Sequence, residues 1–387
     1  MHDAAVIGGG PVGNKVASLL SAAHDVVVIE KRSAPGRPVH CTGLVSEEVI
    51  RLSGVSPEIL NRLYGANIIF PNGRSLSIRS KEHKAVLIDR AELDVKMAEK
   101  AEDGGAKHIY STNYVSHDIN DGAVDISTSG GTIQTSLIIG ADGCDSKVAA
   151  TLPDNGPAEY VRGIQADVKR KADDEGMINI YVGSETAPGF FAWEIPFGDG
   201  MAKIGLCTSW SAGPPSSYLN ALLKRLNVNE NAIVNKYCGK IPLGGRRITY
   251  GDHLLLAGDA AGHVKPVSGG GLQPAFRSAH ALAETATEAL DEEDLSEKFL
   301  SVYEKRWKRD VGKELKRGYL LRKMYVSLSD DELNNAADIA DNENIRRTLD
   351  GGDIDHPSDL MVKMFRHPVT AMRLMPIMMK AKLRGMR

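Results

Sequence analysis

Residues Gly8-Gly9-Gly10-Pro11-Val12-Gly13 satisfy G-x-G-x-x-G, and Glu30 follows Gly13 by 17 residues. The chemistry that such a spacing serves is the capture of a dinucleotide. Gly8 turns the chain, Gly10 lets the backbone approach a pyrophosphate seated on a helix N-terminus, and Gly13 allows close packing of that helix; the Glu30 carboxylate can accept from a ribose diol. Lys31 and Arg32 read as solvated bases at a strand end. A second glycine-rich group runs Gly258-Asp259-Ala260-Ala261-Gly262-His263, with Gly269-Gly270-Gly271-Leu272 shortly after. His40 and His263 stand in no pattern with Asp, Glu or Cys that suits a metal, and both read as local hydrogen-bonding residues. Cys41, Cys144, Cys207 and Cys238 are far apart and form no Cys-x-x-Cys pair, so neither a zinc cage nor a disulfide framework is indicated.

These groups need particular elements to hold them. Ala4 to Gly8 reads as a buried strand, Pro11 to Ala23 as a helix and Val26 to Glu30 as a second strand, one βαβ unit. Asp89 to Glu102 reads as a helix opened by a capping box of Asp89 and Glu92. Extended runs flank Pro71-Asn72-Gly73 as a hairpin, and two-residue alternation marks strands at Val124 to Thr128 and Ile133 to Ile139, before Gly140-Ala141-Asp142-Gly143. Tyr160 to Thr208 reads as a mostly antiparallel sheet. Leu254 to Ala257 is one more buried strand, ahead of a helix from Leu272 to about Leu290, and residues 295–387 read as mainly helical. The fold class expected is α/β (α+β): a Rossmann-like dinucleotide-binding domain with an inserted antiparallel-sheet substrate domain and a helical C-terminal region. Its parts are 1–65, 84–152 and 245–292 for the first, 66–83 and 153–244 for the second, and 293–387 for the third.

Composition agrees with an ordered enzyme-sized protein. The protein has 387 residues, 42% hydrophobic and 25% charged, with 39 glycines; disorder and a small cross-linked scaffold are excluded. No run approaches a membrane-spanning length, and the first strand begins without room for a signal peptide ahead of it, which implies a cytoplasmic protein with reduced thiols. Net charge is −3, yet 361–387 carries seven Lys or Arg and no acid, leaving 40 basic against 50 acidic residues elsewhere. Seven of the 12 methionines lie in the same segment. A cationic, Met-rich end on an acidic body suits peripheral contact with an anionic membrane at its inner face; nucleic acid is a poor fit, because Phe365 is nearly the only aromatic residue there.

Leu254 to His263 resembles the late Gly-Asp motif of the aromatic hydroxylase-like flavoproteins. That resemblance implies FAD, with Asp259 on the ribityl group and Gly270, Gly271 and Leu272 at the pyrimidine end of the ring. Gly140-Ala141-Asp142-Gly143 with Ser146 looks like the superfamily's middle motif, and Arg90 matches a position near the FAD phosphates. Within the superfamily, Pro188-Gly189-Phe190-Phe191-Ala192-Trp193-Glu194-Ile195-Pro196 resembles the P-x-x-Y-x-W-x-F-P pattern of the geranylgeranyl reductases, with Phe191 in place of Tyr and Ile195 in place of Phe. Gly36 to Gly43 resembles their cysteine-containing loop, which implies that Cys41, Thr42 and Gly43 meet the cofactor and that Cys41 either delivers a proton or, with its loop, positions the flavin. Phe191 and Trp193 are assigned to the substrate, as a wall beside an isoprenoid.

The resemblance implies reduction of C=C bonds in prenyl groups, most closely those of archaeal digeranylgeranylglycerophospholipids. Hydride from reduced flavin must there be matched by a proton to the other carbon. It also implies an external electron donor: NADPH, a reduced deazaflavin or a ferredoxin. Two alternatives stand beside this reading. Phe191-Ala192-Trp193-Glu194-Ile195-Pro196 also resembles the W-x-W-x-I-P pattern of flavin-dependent halogenases, which extends to a hydroxylase; and Rab escort proteins share the fold as non-enzymatic prenyl-lipid carriers.

Overall fold

The computed structural model of the protein describes residues 1–120, 122–153, 156–340 and 352–359. The glycine turn at residue 8 sits where it does because of the strands on either side. His2–Ile7 lies between Val26–Ile29 and Gly131–Gly140, and all three run parallel, with Ala4 opposite both Val26 and Leu137. Leu254–Leu256 joins beyond Gly131–Gly140, and Lys107–Ile109 beyond Val26–Ile29, again in parallel. Strands covered on both faces have no solvent side to alternate toward, and Val26–Ile29 is buried throughout. A hairpin of Tyr114–Asn120 and Ala123–Thr128 extends the sheet from Gly131–Gly140.

Helix Pro11–Leu20 covers one face and packs against helices Arg90–Asp103 and Leu272–Asp291. It is shorter than the expected Pro11 to Ala23, since residues 21–23 close it as a turn. The expected capping box at the next helix is only half formed. Asp89 accepts from the N–H groups of Ala91 and Glu92, but the Glu92 carboxylate is drawn to the N–H of Glu58 and to Lys96, and the Asp89 N–H donates to the Glu58 carbonyl.

A second sheet runs in the order Ile233–Leu243, Glu159–Lys169, Met201–Ser209, Ala192–Pro196, Met177–Tyr181, Gly65–Ile69, Ser75–Arg79. It is antiparallel except where Met177–Tyr181 pairs in parallel with Gly65–Ile69. Helix Pro215–Arg225 seals one face with Leu219, Leu222 and Leu223; on the other face Ile195 packs with Leu63 and Leu87, and Trp193 joins the cluster that holds Val264, next to the Gly258–Gly262 turn. A small sheet that the sequence did not announce, Leu44–Val45, Ala85–Ile88 and Ile59–Leu63, bridges the two. Helix Glu297–Trp307, a π-helical stretch at Lys308–Gly312, and helices Lys313–Val326 and Asp330–Ala340 follow. The segment 361–387 lies outside the described residues. Among those described, no helix is long and apolar enough to cross a membrane.

Candidate functional site

Every chemistry-bearing loop of the first sheet leaves the C-terminal end of a parallel strand, which gathers them on one edge. The Gly8 N–H donates to the Ile29 carbonyl, that of Ala141 to Ile7, and that of Ala257 to Gly140. Gly8 takes φ +105°, and a Cβ there would stand 2.5 Å from the Ala141 carbonyl oxygen. At Gly13 a Cβ would meet the Gly8 carbonyl at 1.9 Å, so the helix can start this close only without a side chain. Gly10 differs: a Cβ would meet nothing within 4 Å. The helix it caps has no side-chain cap and no acid in its first turn, leaving N–H groups and a positive end open to an anion. Val12 packs against Gly258, and Glu30 is buried with Oε2 accepting from the Gly9 N–H at 2.7 Å and Oε1 from that of Arg32 at 2.9 Å. Each carboxylate oxygen keeps a lone pair for a diol.

Asp259 lies near enough to Arg90 to feel its charge. Burial pushes the Asp259 carboxyl up to about 6, against the opposing Arg90 charge, and the carboxylate accepts no hydrogen bond from the described residues. Arg90 pairs with Asp94 at 2.7 Å, while its Nε is buried without a partner among them. Burial would lower the Arg90 pKa, but Asp94 and the neighbouring Cys41 thiol hold it above its ordinary value. The helix starting at Leu272 likewise has no side-chain cap and no acid in its first turn. A Cβ at Gly271 would lie 3.0 Å from Asp259 Oδ1, and the buried Gln273 Nε2 also has no partner among the described residues. A cradle lined by glycine, two uncapped helix ends, a carboxylate and orphaned donors fits a dinucleotide cofactor.

Cys41 lies on a loop zipped to strand Ala85–Ile88: Gly43 takes φ +85°, its carbonyl accepts from the Ile88 N–H at 3.0 Å, and its own N–H donates to Cys41 Sγ at 3.4 Å. Thr42 donates to Gln165 Oε1 at 2.9 Å, and Trp193 Nε1 donates to the same oxygen at 3.0 Å. The loop is thereby joined to the aromatic strand. Phe190 stacks on Phe191 at 4.6 Å between ring centroids, and Trp193 meets Phe191 edge-on at 6.0 Å. Phe191 precedes strand Ala192–Pro196, its carbonyl accepting from the Cys207 N–H. A Cβ at Gly269 would stand 3.5 Å from Phe190 Cζ, so the aromatic row abuts the Gly269–Gly271 loop.

One sequence reading changes. His263 is fully buried, and neither ring nitrogen is hydrogen-bonded to a described residue; it sits 4.6 Å from Trp307 and 6.5 Å from Tyr303, and burial drives it down to about 3, neutral. An apolar cage replaces the expected hydrogen bonds. Asp142 caps its own turn, accepting from Ser146 Oγ at 2.5 Å and from the N–H groups of Lys147 and Val148. His40 does bond, to the Cys238 carbonyl at 3.0 Å. Of the other thiols, burial pushes Cys144 up to about 11 and Cys207 up to about 12. Two prominent surface cavities, beside His83 and Asp353 and beside Ser184 and Tyr325, do not include Phe191 or Trp193 in their walls.

Four supports were missed because nothing in the local sequence marks them. Gln165 is one. Arg322, 2% exposed, holds Glu159 at 2.7 Å, donates to the Gly189 carbonyl at 2.9 Å and lies over the Phe190 ring. Tyr325 bonds the Phe190 carbonyl. Lys265, one turn before Gly269, forms a buried pair with Asp355 at 2.7 Å and so brings residues 352–359 back to the site.

A family profile described as FAD binding domain matches residues 1–219. Digeranylgeranylglycerophospholipid reductase 2 of Methanothermobacter thermautotrophicus is 30% identical over 381 residues, spanning 93% of this protein and 94% of that one. Its namesake from Methanopyrus kandleri is 28% identical over 373 residues, 91% and 93% of the two lengths. Among solved structures, a geranylgeranyl bacteriochlorophyll reductase-like protein of Thermoplasma acidophilum superposes with a TM-score of 0.83 at 22% identity, covering 97% of this protein and 99% of its own length. A halogenase in complex with FAD gives 0.70 at 15% identity, with 99% and 94% covered, and shares the fold.

Proposed function

Since this protein belongs to the geranylgeranyl reductase family of FAD-dependent reductases, we propose that it saturates C=C bonds in the geranylgeranyl groups of a prenylated glycerophospholipid. Gly8, Gly10, Val12 and Gly13, with the helix end behind them, would hold the pyrophosphate of FAD, Glu30 its ribose, Asp259 its ribityl group and Arg90 its phosphates. Gly270, Gly271 and Leu272 would line the ring, together with Thr42 and Gly43 from the cysteine loop. Bound FAD, once reduced by an external donor such as NADPH, a reduced deazaflavin or a ferredoxin, supplies hydride.

The rest is the work of the protein's own side chains. An isolated alkene has no carbonyl to hold developing charge, so proton delivery must accompany reduction. Cys41 Sγ donates that proton, and the Arg90 guanidinium beside it stabilises the charge left on sulfur until solvent restores the thiol. Phe191 and Trp193 hold the prenyl group against the ring-facing loop and exclude water. The observation that carries this reading is the aromatic row abutting the Gly269–Gly271 loop, with the Cys41 loop fastened to the same row.

The test is anaerobic. The FAD of the purified protein is reduced chemically, digeranylgeranylglyceryl phosphate is added, and flavin absorbance and lipid mass are followed. Reoxidation with mass gains in two-hydrogen steps is expected; reduced flavin that stays reduced while the lipid mass is unchanged overturns the reading.

A further inference from the structure

Gln165 belongs to no motif, yet it lies where separate parts of the site meet. It is 6% exposed, on strand Glu159–Lys169, opposite Gly205 of one neighbouring strand and Tyr237 of the other. Trp193 stands opposite Gly205 in the next strand over. A Cβ at Gly205 would lie 2.6 Å from Trp193 Cζ2, so the indole lies across that glycine and carries its N–H over to Gln165.

An indole nitrogen only donates, which settles the orientation of the amide: the atom it meets is Oε1. The same oxygen accepts from Thr42 Oγ1, at 2.9 Å against 3.0 Å for the indole. Thr42 is the residue after Cys41, whose sulfur accepts from the Gly43 N–H and lies near enough to Arg90 to act on its charge. The thiol loop and the aromatic wall come from segments distant in sequence, and this shared acceptor ties them together.

We propose that Gln165 is a positioning residue for prenyl reduction, setting the Cys41 loop at a fixed offset from Trp193. It acts through Thr42 and Trp193. The proposal rests on the function argued above. Without the shared oxygen, both donors lose a buried partner and the loop can shift by a fraction of a turn, enough to misalign a proton donor with a carbon held by the wall.

The test uses FAD-loaded protein carrying Gln165→Leu or Gln165→Glu. Leucine keeps the bulk and removes the acceptor; a carboxylate restores an oxygen that can take both bonds. Gln165→Leu is expected to retain FAD and lower kcat for the prenyl lipid on the order of tenfold or more, with a much smaller change in KM. Gln165→Glu is expected to recover most of that loss. In the absence of lipid, Gln165→Leu should also shift tryptophan emission, and the shift should vanish when Trp193→Phe is present in both proteins. Parent-like turnover in Gln165→Leu, no recovery in Gln165→Glu, or an emission shift that survives Trp193→Phe overturns the proposal. Parent protein that leaves the lipid unchanged overturns the function instead, and the emission arm still decides whether Gln165 joins loop and wall.

Discussion

At the scale of single residues, Asp259 is the most exposed to test. The Asp259 carboxylate accepts no hydrogen bond from a described residue and is free to take one from a hydroxyl, and the Asp259→Ala change is expected to weaken FAD binding by about 2 kcal/mol, or roughly 30-fold, in a titration of FAD-free protein. Unchanged FAD retention removes Asp259 from the cofactor. The same group gives a pH signature. Its carboxyl is pushed up to about 6 by burial, above its unfolded value near 4, so the fold favours the neutral acid. The group's stabilisation is present in full below pH 4 and is lost as pH rises through about 6. In FAD-free protein, Asp259→Asn should therefore stabilise by up to about 3 kcal/mol at pH 7.5 and change little at pH 4. Urea unfolding at both values checks this, and an equal shift at the two contradicts it. Trp193→Ala tests the substrate side: lipid turnover should fall far more than the rate of chemical reduction of the flavin, and equal losses would make Trp193 a packing residue only.

At the scale of elements, helix Lys313–Val326 clamps the corner where the aromatic row begins. Arg322 and Tyr325 hold the carbonyls of Gly189 and Phe190, and a Cβ at Gly318 would lie 3.2 Å from Pro266 in the loop leading to Gly269. One helix therefore touches both walls of the site. Arg322→Leu is expected to cost about 2 to 3 kcal/mol in chemical unfolding, since it strands Glu159 and a buried carbonyl. It should lower lipid turnover more than FAD affinity, because what it frees is the aromatic corner. The loss is below the figure for a sealed ion pair because Glu159 is 30% exposed.

At the scale of the whole molecule, the second sheet does more than follow the first. Its Trp193-bearing face lies against the cofactor edge, and the pair of Lys265 with Asp355 returns a late segment to that junction. Beyond it, the cationic segment 361–387 is proposed to dock on anionic membrane, where three or four engaged bases at about 1 kcal/mol each give salt-sensitive recruitment. Co-sedimentation with anionic liposomes at low salt should fall sharply in protein ending at Leu360; equal binding by both lengths ends the membrane proposal.

The sequence by itself determined the βαβ unit, the glycine turn and Glu30, because a close helix–turn approach and a pyrophosphate cradle need particular residues at adjacent positions, and adjacency is written in the order of residues. It also carried the family resemblance, through the motifs around Cys41, Trp193 and Asp259. Only the tertiary structure decided that Gln165, Arg322 and Lys265 support the site, since their partners are 28 to 163 residues away and glutamine or arginine in a strand or helix looks the same locally whatever it meets. Tertiary packing likewise overruled two local readings. Glu92 left the capping box because Glu58 and Lys96 were nearer competitors for its carboxylate, and His263 lost its expected hydrogen bonds because Tyr303 and Trp307 closed around it. Hydrogen-bond partners are chosen by proximity in the folded protein, and only folding sets that proximity.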